Sequence, residues 1–247
     1  KVELNIGTAS VGGAYYAVGG GMANVVTQYA PNITMVPVVT GGAVENPRLL
    51  QSGDVDVAIS NSNTVYFAYT GAKPYDQKLD ILALASLYSS VFHIFVLDNS
   101  PIRSVTDLKG KKVAVGPAGG GTAATLVPIM EAYGMSASDV TASYIAYEDS
   151  VMQLSDGNLD AVMLQAGYPA SAITQLRATR KIRLIDLDRD KLQALAAKYP
   201  YFAAVTIPKA VYGLDKDALV LGIPNTLICR KDMDERVAYE VTKAIFD

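Results

Sequence analysis

In 247 residues the chain has no tryptophan, one cysteine and one histidine, and each shortage removes a class of function. The lone thiol, Cys229, cannot form an intramolecular disulfide, and its place at the end of the apolar run Leu227–Cys229 reads as buried and inert. One imidazole cannot build a zinc site that needs several, and no paired-cysteine or His-Glu-x-x-His spacing offers another, so neither metal nor cofactor is expected. A Ser-His-Asp triad would have to use His93, which lies inside Val-Phe-His-Ile-Phe-Val and reads as a half-buried strand residue. Basic residues are few and scattered, 21 Lys and Arg against 24 Asp and Glu, which excludes a phosphate-tracking surface and nucleic acid as partner.

Charge is missing altogether from Leu4 to Val44. A run of that length prompts a membrane reading, but its many glycines, Pro31, Pro37 and the amides of Asn5, Asn24, Gln28 and Asn32 are incompatible with hydrocarbon. A second apolar run, Ile81–Leu97, carries Tyr88, Ser89, Ser90 and His93 near its middle and reads as two strands across a bend. No membrane span is expected. The chain starts at Lys1 directly before a strand, so any export signal has been removed or was never there.

What the chain does have is a large apolar fraction, 50% of its residues, enough for a substantial core without metal or disulfide. Val2–Ile6 alternates as a strand does, residues 7–13 break it, and Ala14–Tyr29 has the apolar spacing of a helix ended by Pro31. Thr34–Val39 is a second strand, Ala43–Ser52 a short helix with Pro47 in its first turns, and Asp56–Ser60 a buried third strand. Such a βαβαβ succession implies a parallel sheet with helices on both faces.

The same order returns about a hundred residues later. A strand at Lys112–Val115 leads into the glycine-rich turn Gly116–Thr122 and a helix at Ala123–Tyr133. A strand at Ser143–Ala146, a short helix at Asp149–Leu154 and a strand at Asp160–Leu164 complete the unit. Leu50-Gln-Ser-Gly-Asp-Val-Asp aligns with Leu154-Ser-Asp-Gly-Asn-Leu-Asp, with Leu, Gly and the second Asp at one constant offset. Two similar lobes follow: 1–88 with 230–247, and an inserted lobe 89–229. A later strand, Leu219–Ile228, leads towards a helix at Asp232–Phe246, which places the hinge near 88–92 and 219–231, where two strands cross between lobes.

Each unit joins strand to helix through a glycine-rich turn, so backbone N–H groups at the helix start point past the carboxyl end of the sheet and can hold an anion. Neither turn carries a nucleotide signature: Gly116-Pro-Ala-Gly-Gly-Gly-Thr lacks the Lys-Ser/Thr ending, and the turn around Gly12 and Gly13 lacks G-x-G-x-x-G spacing. The third strands end in polar clusters that place Asn61 and Gln165 at the repeat's own offset, where their amides can orient a polar solute. Ser60 and Asn63 suit helix capping, as do Glu148 and Asp149. The pairs Asp54/Asp56 and Asp188/Asp190 fall in connections and read as solvated.

Together, Ile-Gly-Thr-Ala-Ser-Val-Gly-Gly-Ala-Tyr-Tyr from Ile6, Thr-Gly-Gly-Ala-Val-Glu-Asn from Thr40 and Gly-Asp-Val-Asp-Val-Ala-Ile-Ser-Asn from Gly53 resemble the TAXI family, solute receptors of one class of tripartite ATP-independent periplasmic (TRAP) transporters. Asp107-Leu-Lys-Gly-Lys-Lys-Val-Ala-Val-Gly with the turn after it fits as well. The resemblance spans nearly the whole chain. It implies the α/β, two-lobed type II periplasmic binding protein fold, each lobe a mostly parallel sheet flanked by helices, with a ligand cleft between lobes. It further implies an exported, monomeric receptor that passes a small organic anion such as glutamate or 2-oxoglutarate to TRAP-type permease subunits. The matching ligand positions are Ser10, Gly13, Tyr15, Gly42, Asn61, Gly120, Gly121, Thr122 and Tyr168. Family members usually continue with further helices past the position of Asp247, so a truncated chain is expected. Residue supply speaks against an enzyme; the alternatives are a transferase closing on its substrate with the same paired lobes, or a sensor domain binding the same solute.

Overall fold

The computed structural model describes residues 1–11 and 13–247; Gly12, named in the first glycine-rich turn, lies outside the described residues. The first unit runs β1 (Val2–Gly7), α1 (Ala14–Tyr29), β2 (Ile33–Val38), α2 (Glu45–Ser52), β3 (Val57–Asn61) and α3 (Ser62–Thr70). A long strand, β4 (Ile81–Leu97), leads to the second unit: β5 (Lys112–Ala114), α4 (Gly121–Ala132), β6 (Thr141–Ser143), α5 (Tyr147–Ser155), β7 (Ala161–Ala166) and α6 (Ser171–Thr179). Then come β8 (Ile182–Leu184), α7 (Arg189–Lys198), β9 (Ala203–Ile207), α8 (Lys209–Tyr212), β10 (Ala218–Arg230) and α9 (Glu235–Phe246). No helix among the described residues is long and apolar enough to cross a membrane.

The strands form one sheet in the order β2-β1-β3-β10-β4-β7-β5-β6, with β8 beside β4 and β9 beside β10. It consists of two parallel groups, β2-β1-β3 and β6-β5-β7, joined by the antiparallel pair β4 and β10. The two strands expected across a bend in Ile81–Leu97 are instead one strand of 17 residues. Its polar middle stays in the ladder because β10 pairs with Ser89 and Ser90, opposite Pro224 and Ile223, and β7 with His93, opposite Leu164. Pro224 brings no N–H, and the register slips just after it, between Pro224 and Thr226. Along β10, Ala218–Gly222 pair with β9 and Asn225–Cys229 with β3, so this strand passes between the two halves at Ile223 and Pro224.

The repeat has a physical explanation. Leu50 and Leu154 are both fully buried, and Gly53 and Gly157 both have positive φ, 83° and 78°, which lets the chain leave α2 and α5 without a Cβ penalty. The carboxylates of Asp56 and Asp160 accept from the N–H of Asn5 and Lys112, at 2.8 Å each, tying the third strand of each group to its first. Asp56 is therefore a tether rather than the solvated residue expected.

Alternation along the strands gives each half of the sheet two apolar layers. In the first half, Val57 and Ile59 pack with Ile6, Val26 and Val241 under α1 and α9, while Ala58 faces Leu50, Ile81 and Ile228. In the second, Phe92, Ile94 and Val96 pack with Ile129, Met130 and Leu192, and Val91 and Phe95 with Leu154, Ile173 and Tyr212. The strand expected at Ser143–Ala146 lies at Thr141–Ser143, because Ala146 already serves as the N-cap of α5. Cys229 is buried, and burial raises its thiol pKa to about 11, in keeping with an inert thiol.

Candidate functional site

A small cavity lies where the carboxyl ends of the two parallel groups meet. Its first wall comes from Ser10, Gly13, Tyr15, Gly42 and Asn61, its second from Gly120, Gly121 and Gln165. Three helices start at it: α1, α3 and α4, with N-caps Gly13, Asn61 and Gly120. None has a side-chain cap bond or an acidic residue in its first turn, so each presents the positive end of its dipole uncompensated. No charged side chain is among the described residues lining the cavity.

The first wall is braced from β10. Asn225, fully buried, accepts at Oδ1 from the Tyr15 hydroxyl (2.6 Å) and from Asn61 Nδ2 (2.8 Å). Its Nδ2 donates to the Tyr88 carbonyl (2.8 Å) and to Ser90 Oγ (3.0 Å). Burial raises the Tyr15 pKa well above its ordinary value, with Tyr88 and Tyr147 adding to the shift, so Tyr15 stays a neutral donor. The loop carrying Gly42 is held by Asn46, whose Nδ2 donates to the carbonyls of Thr8 (2.8 Å) and Ile59 (2.7 Å) and whose Oδ1 accepts from Thr40 (2.7 Å). Ser60 does not cap α3: its hydroxyl donates to the Ala43 carbonyl (2.7 Å).

The second wall has a triad of its own. Thr122 Oγ accepts from the Gln165 N–H (3.0 Å), and Tyr147 donates its only hydroxyl proton to the Gln165 carbonyl (3.2 Å), which leaves Thr122 as donor to Tyr147 (2.8 Å). Burial raises the Tyr147 pKa. Thr122, expected as a ligand residue, thus faces β7 and positions Gln165, while Tyr147, which lines the cavity, was not anticipated. Tyr168 also lies outside the cavity, 38% exposed. Glu148 and Asp149 sit in the first turn of α5, but no side chain caps that helix.

Against this saturated framework, both amide atoms of Gln165 and the hydroxyl of Ser10 are buried without a partner. Buried polar groups are rarely left so, and each orphan costs about 1–3 kcal/mol until something binds it. The halves touch at the same place. The N–H groups of Val44 and Glu45 donate to the Gly119 carbonyl at 2.8 and 3.1 Å, and a Cβ on Gly121 would lie 2.2 Å from Asn61 Oδ1. The cavity measures about 20 Å³, room for about one water molecule.

His93 does not line the cavity and is fully buried rather than half-buried. Tyr212 accepts the Ala170 N–H (2.8 Å), which directs its own proton to His93 Nε2 (3.0 Å), and the imidazole Nδ1–H donates to the Leu164 carbonyl (3.1 Å). Burial lowers the His93 pKa to about 4, so the ring is neutral at pH 7. Among the described residues no cluster of His, Cys, Asp and Glu could hold a metal ion.

Residues 6–247 match the model of the NMT1-like family. A curated Escherichia coli (strain K12) protein described as aliphatic sulfonates-binding is 26% identical over 141 residues, 57% of this chain and 39% of that protein, so the match spans about two-fifths of the relative's length. Among solved structures, the periplasmic aliphatic sulphonate binding protein of E. coli superposes with a TM-score of 0.57 at 16% identity, over 99% of this chain and 72% of that one. The alkanesulfonate-binding protein of Xanthomonas axonopodis pv. citri, bound to MOPS, gives 0.60 at 17% over 99% and 73%. An L-cystine ABC transporter protein of Listeria monocytogenes gives 0.60 at 16% over 99% and 89%. The fold is that of the type II periplasmic binding proteins, but the mostly parallel sheet expected in each lobe is here one continuous sheet flanked by helices, its two parallel groups joined through β4 and β10.

Proposed function

The chain belongs to the NMT1-like family, and from that premise we propose that it is an extracytoplasmic solute receptor, which closes its two lobes on a small organic anion and releases it unchanged to a membrane permease. One observation carries this reading: three uncapped helix starts, from both lobes, converge on a neutral cavity whose Gln165 amide and Ser10 hydroxyl lack partners. The helix starts favour negative charge by roughly 0.3–1 kcal/mol each, up to about 2 when partly buried, and each hydrogen bond to a charged group adds about 1.5–3 kcal/mol. A few such terms reach micromolar affinity, near 8 kcal/mol, after association costs. Ser10, Gly13, Tyr15, Gly42, Asn61, Gly120, Gly121 and Gln165 are the ligand residues of this reading.

A cavity of about 20 Å³ admits neither glutamate nor 2-oxoglutarate, so the lobes must separate to load such a solute, flexing where β4 and β10 pass between them. The anion's class rests on two lines of support: the TAXI resemblance favours a dicarboxylate and a TRAP permease, and the named relatives favour a sulfonate or amino acid and an ABC permease. Calorimetry of refolded, ligand-free protein against glutamate, 2-oxoglutarate, an alkanesulfonate and cystine separates the solutes. Uptake into vesicles driven by a sodium gradient or by ATP separates the permeases. One solute bound per chain without turnover is the expected result. Consumption of solute by substoichiometric protein at a rate dependent on His93 overturns the reading in favour of an enzyme.

A further inference from the structure

A second cavity between the lobes, of about 510 Å³, opens between α3 and α4 on the far side of the Gly119–Val44 contact. Its walls are apolar and aromatic: Phe67 from the first lobe faces Val127, Pro128, Tyr201 and Phe202 from the second. Tyr201 meets Phe67 edge to face, with ring centroids 6.1 Å apart, and Phe202 in the same way at 4.9 Å, so the groove offers ring edges and faces to a planar guest. Its volume falls within the range of small-molecule sites, about 300–1,000 Å³.

One polar atom in it is unaccounted for. Asn63, 1% exposed, lines the groove, and its Oδ1 is buried without a partner. The cations at the rim are engaged elsewhere: Arg48 donates to the Pro74 carbonyl (2.7 Å) and lies over the Tyr75 ring, and Lys73 pairs with Asp76 (2.6 Å). The carboxylate of the lining, Glu131, is paired with Lys198 at 3.9 Å, so apolar walls with one orphan acceptor and, among the described lining residues, no unpaired charge suit a neutral planar molecule with a single donor. We infer that the groove is a second ligand site, distinct from the anion cavity, for an aromatic compound bearing one N–H or O–H, of the indole or phenol class.

The chain contains no tryptophan, so indole excited beyond the tyrosine band is seen without protein background. Titration of the intact protein should give a saturable, blue-shifted emission with one site per chain. Indole should bind about three- to tenfold tighter than N-methylindole, the ratio one net hydrogen bond provides. Val127→Phe, at a position 45% exposed, fills the groove and should abolish binding without disturbing the fold. Asn63→Leu should bind the two compounds equally. No saturable binding up to the solubility limit of indole, or unchanged binding in Val127→Phe, overturns the inference. The anion assay does not enter this test, so failure of the receptor reading leaves it intact.

Discussion

Asn61 and Gln165 occupy the same place in the two copies of the repeat, at the end of the third strand of each lobe, yet their amides meet opposite surroundings. Asn61 Nδ2 is bonded to Asn225, whereas both amide atoms of Gln165 are buried with nothing to bind. The difference comes from the chain beyond the repeat. β10 returns beside β3 and brings Asn225 against the first wall; beside β7 runs β4, whose nearest polar side chain, His93, turns to the Leu164 carbonyl and Tyr212. The amide of the first wall is thus braced and that of the second is open, the Ser10 hydroxyl being the open valence of the first.

The largest effect expected from this asymmetry is on pH dependence. The folded His93 pKa is lowered to about 4 from about 6.5 in the unfolded chain, so protons favour unfolding. The stabilisation is fully present above about pH 6.5 and is lost as pH falls towards 4, about 3 kcal/mol in all. Urea unfolding across that range should show the loss, and His93→Gln should flatten it. An unchanged slope in the variant would mean that His93 does not set the pH dependence.

Gly121→Ala comes next. Its Cβ would lie 2.2 Å from Asn61 Oδ1 and 3.1 Å from Gln165 Nε2, holding the lobes apart at a cost of about 1–3 kcal/mol, up to about a hundredfold in solute affinity. Scattering should show that saturating solute no longer reduces the radius of gyration. Normal affinity in this variant would mean that the lobes do not need to meet there.

The two walls can then be separated directly. Asn225→Ala strips the acceptor from Tyr15 and Asn61 and should lower stability by about 1–3 kcal/mol. Gln165→Met removes an amide that has no partner in the empty protein and should leave stability unchanged or higher while weakening solute binding by about 1–3 kcal/mol. The opposite result, stability lost with Gln165 and affinity kept, would reverse the comparison. Smallest of all, Arg48→Ala and Arg177→Ala, outside the cavity, should change affinity by less than about 0.5 kcal/mol in calorimetry; a large loss with either would mean that a cation holds the anion.

Much of this was legible without coordinates. The apolar periods, the paired glycine-rich turns and the repeat around Leu50 and Leu154 each reflect a local rule, so the α/β units, the glycine-rich turns and the paired amides Asn61 and Gln165 could be read from residue type and spacing, while Ser10, Tyr15 and Gly42 came through the family resemblance. Thr122 could not be told from a ligand residue, because a hydroxyl after a glycine-rich turn can face the cleft or the sheet, and Tyr147 decides which. Asn225 left one faint signal, an amide beside Pro224 in a mostly apolar strand.

The order of strands, helices and turns within the two repeated units was set by the sequence alone, through side-chain period, glycine at the turns and the poverty of charge around them, whereas α3 and the segment α6, β8, α7, β9 and α8 were not read from it. Tertiary structure decided that Ile81–Leu97 is one strand rather than two, since only its partner β10 could keep Ser89 and Ser90 in the ladder. It also decided which of two equivalent amides is left open for a ligand, because a hydrogen-bond partner far away in sequence is supplied only by the fold.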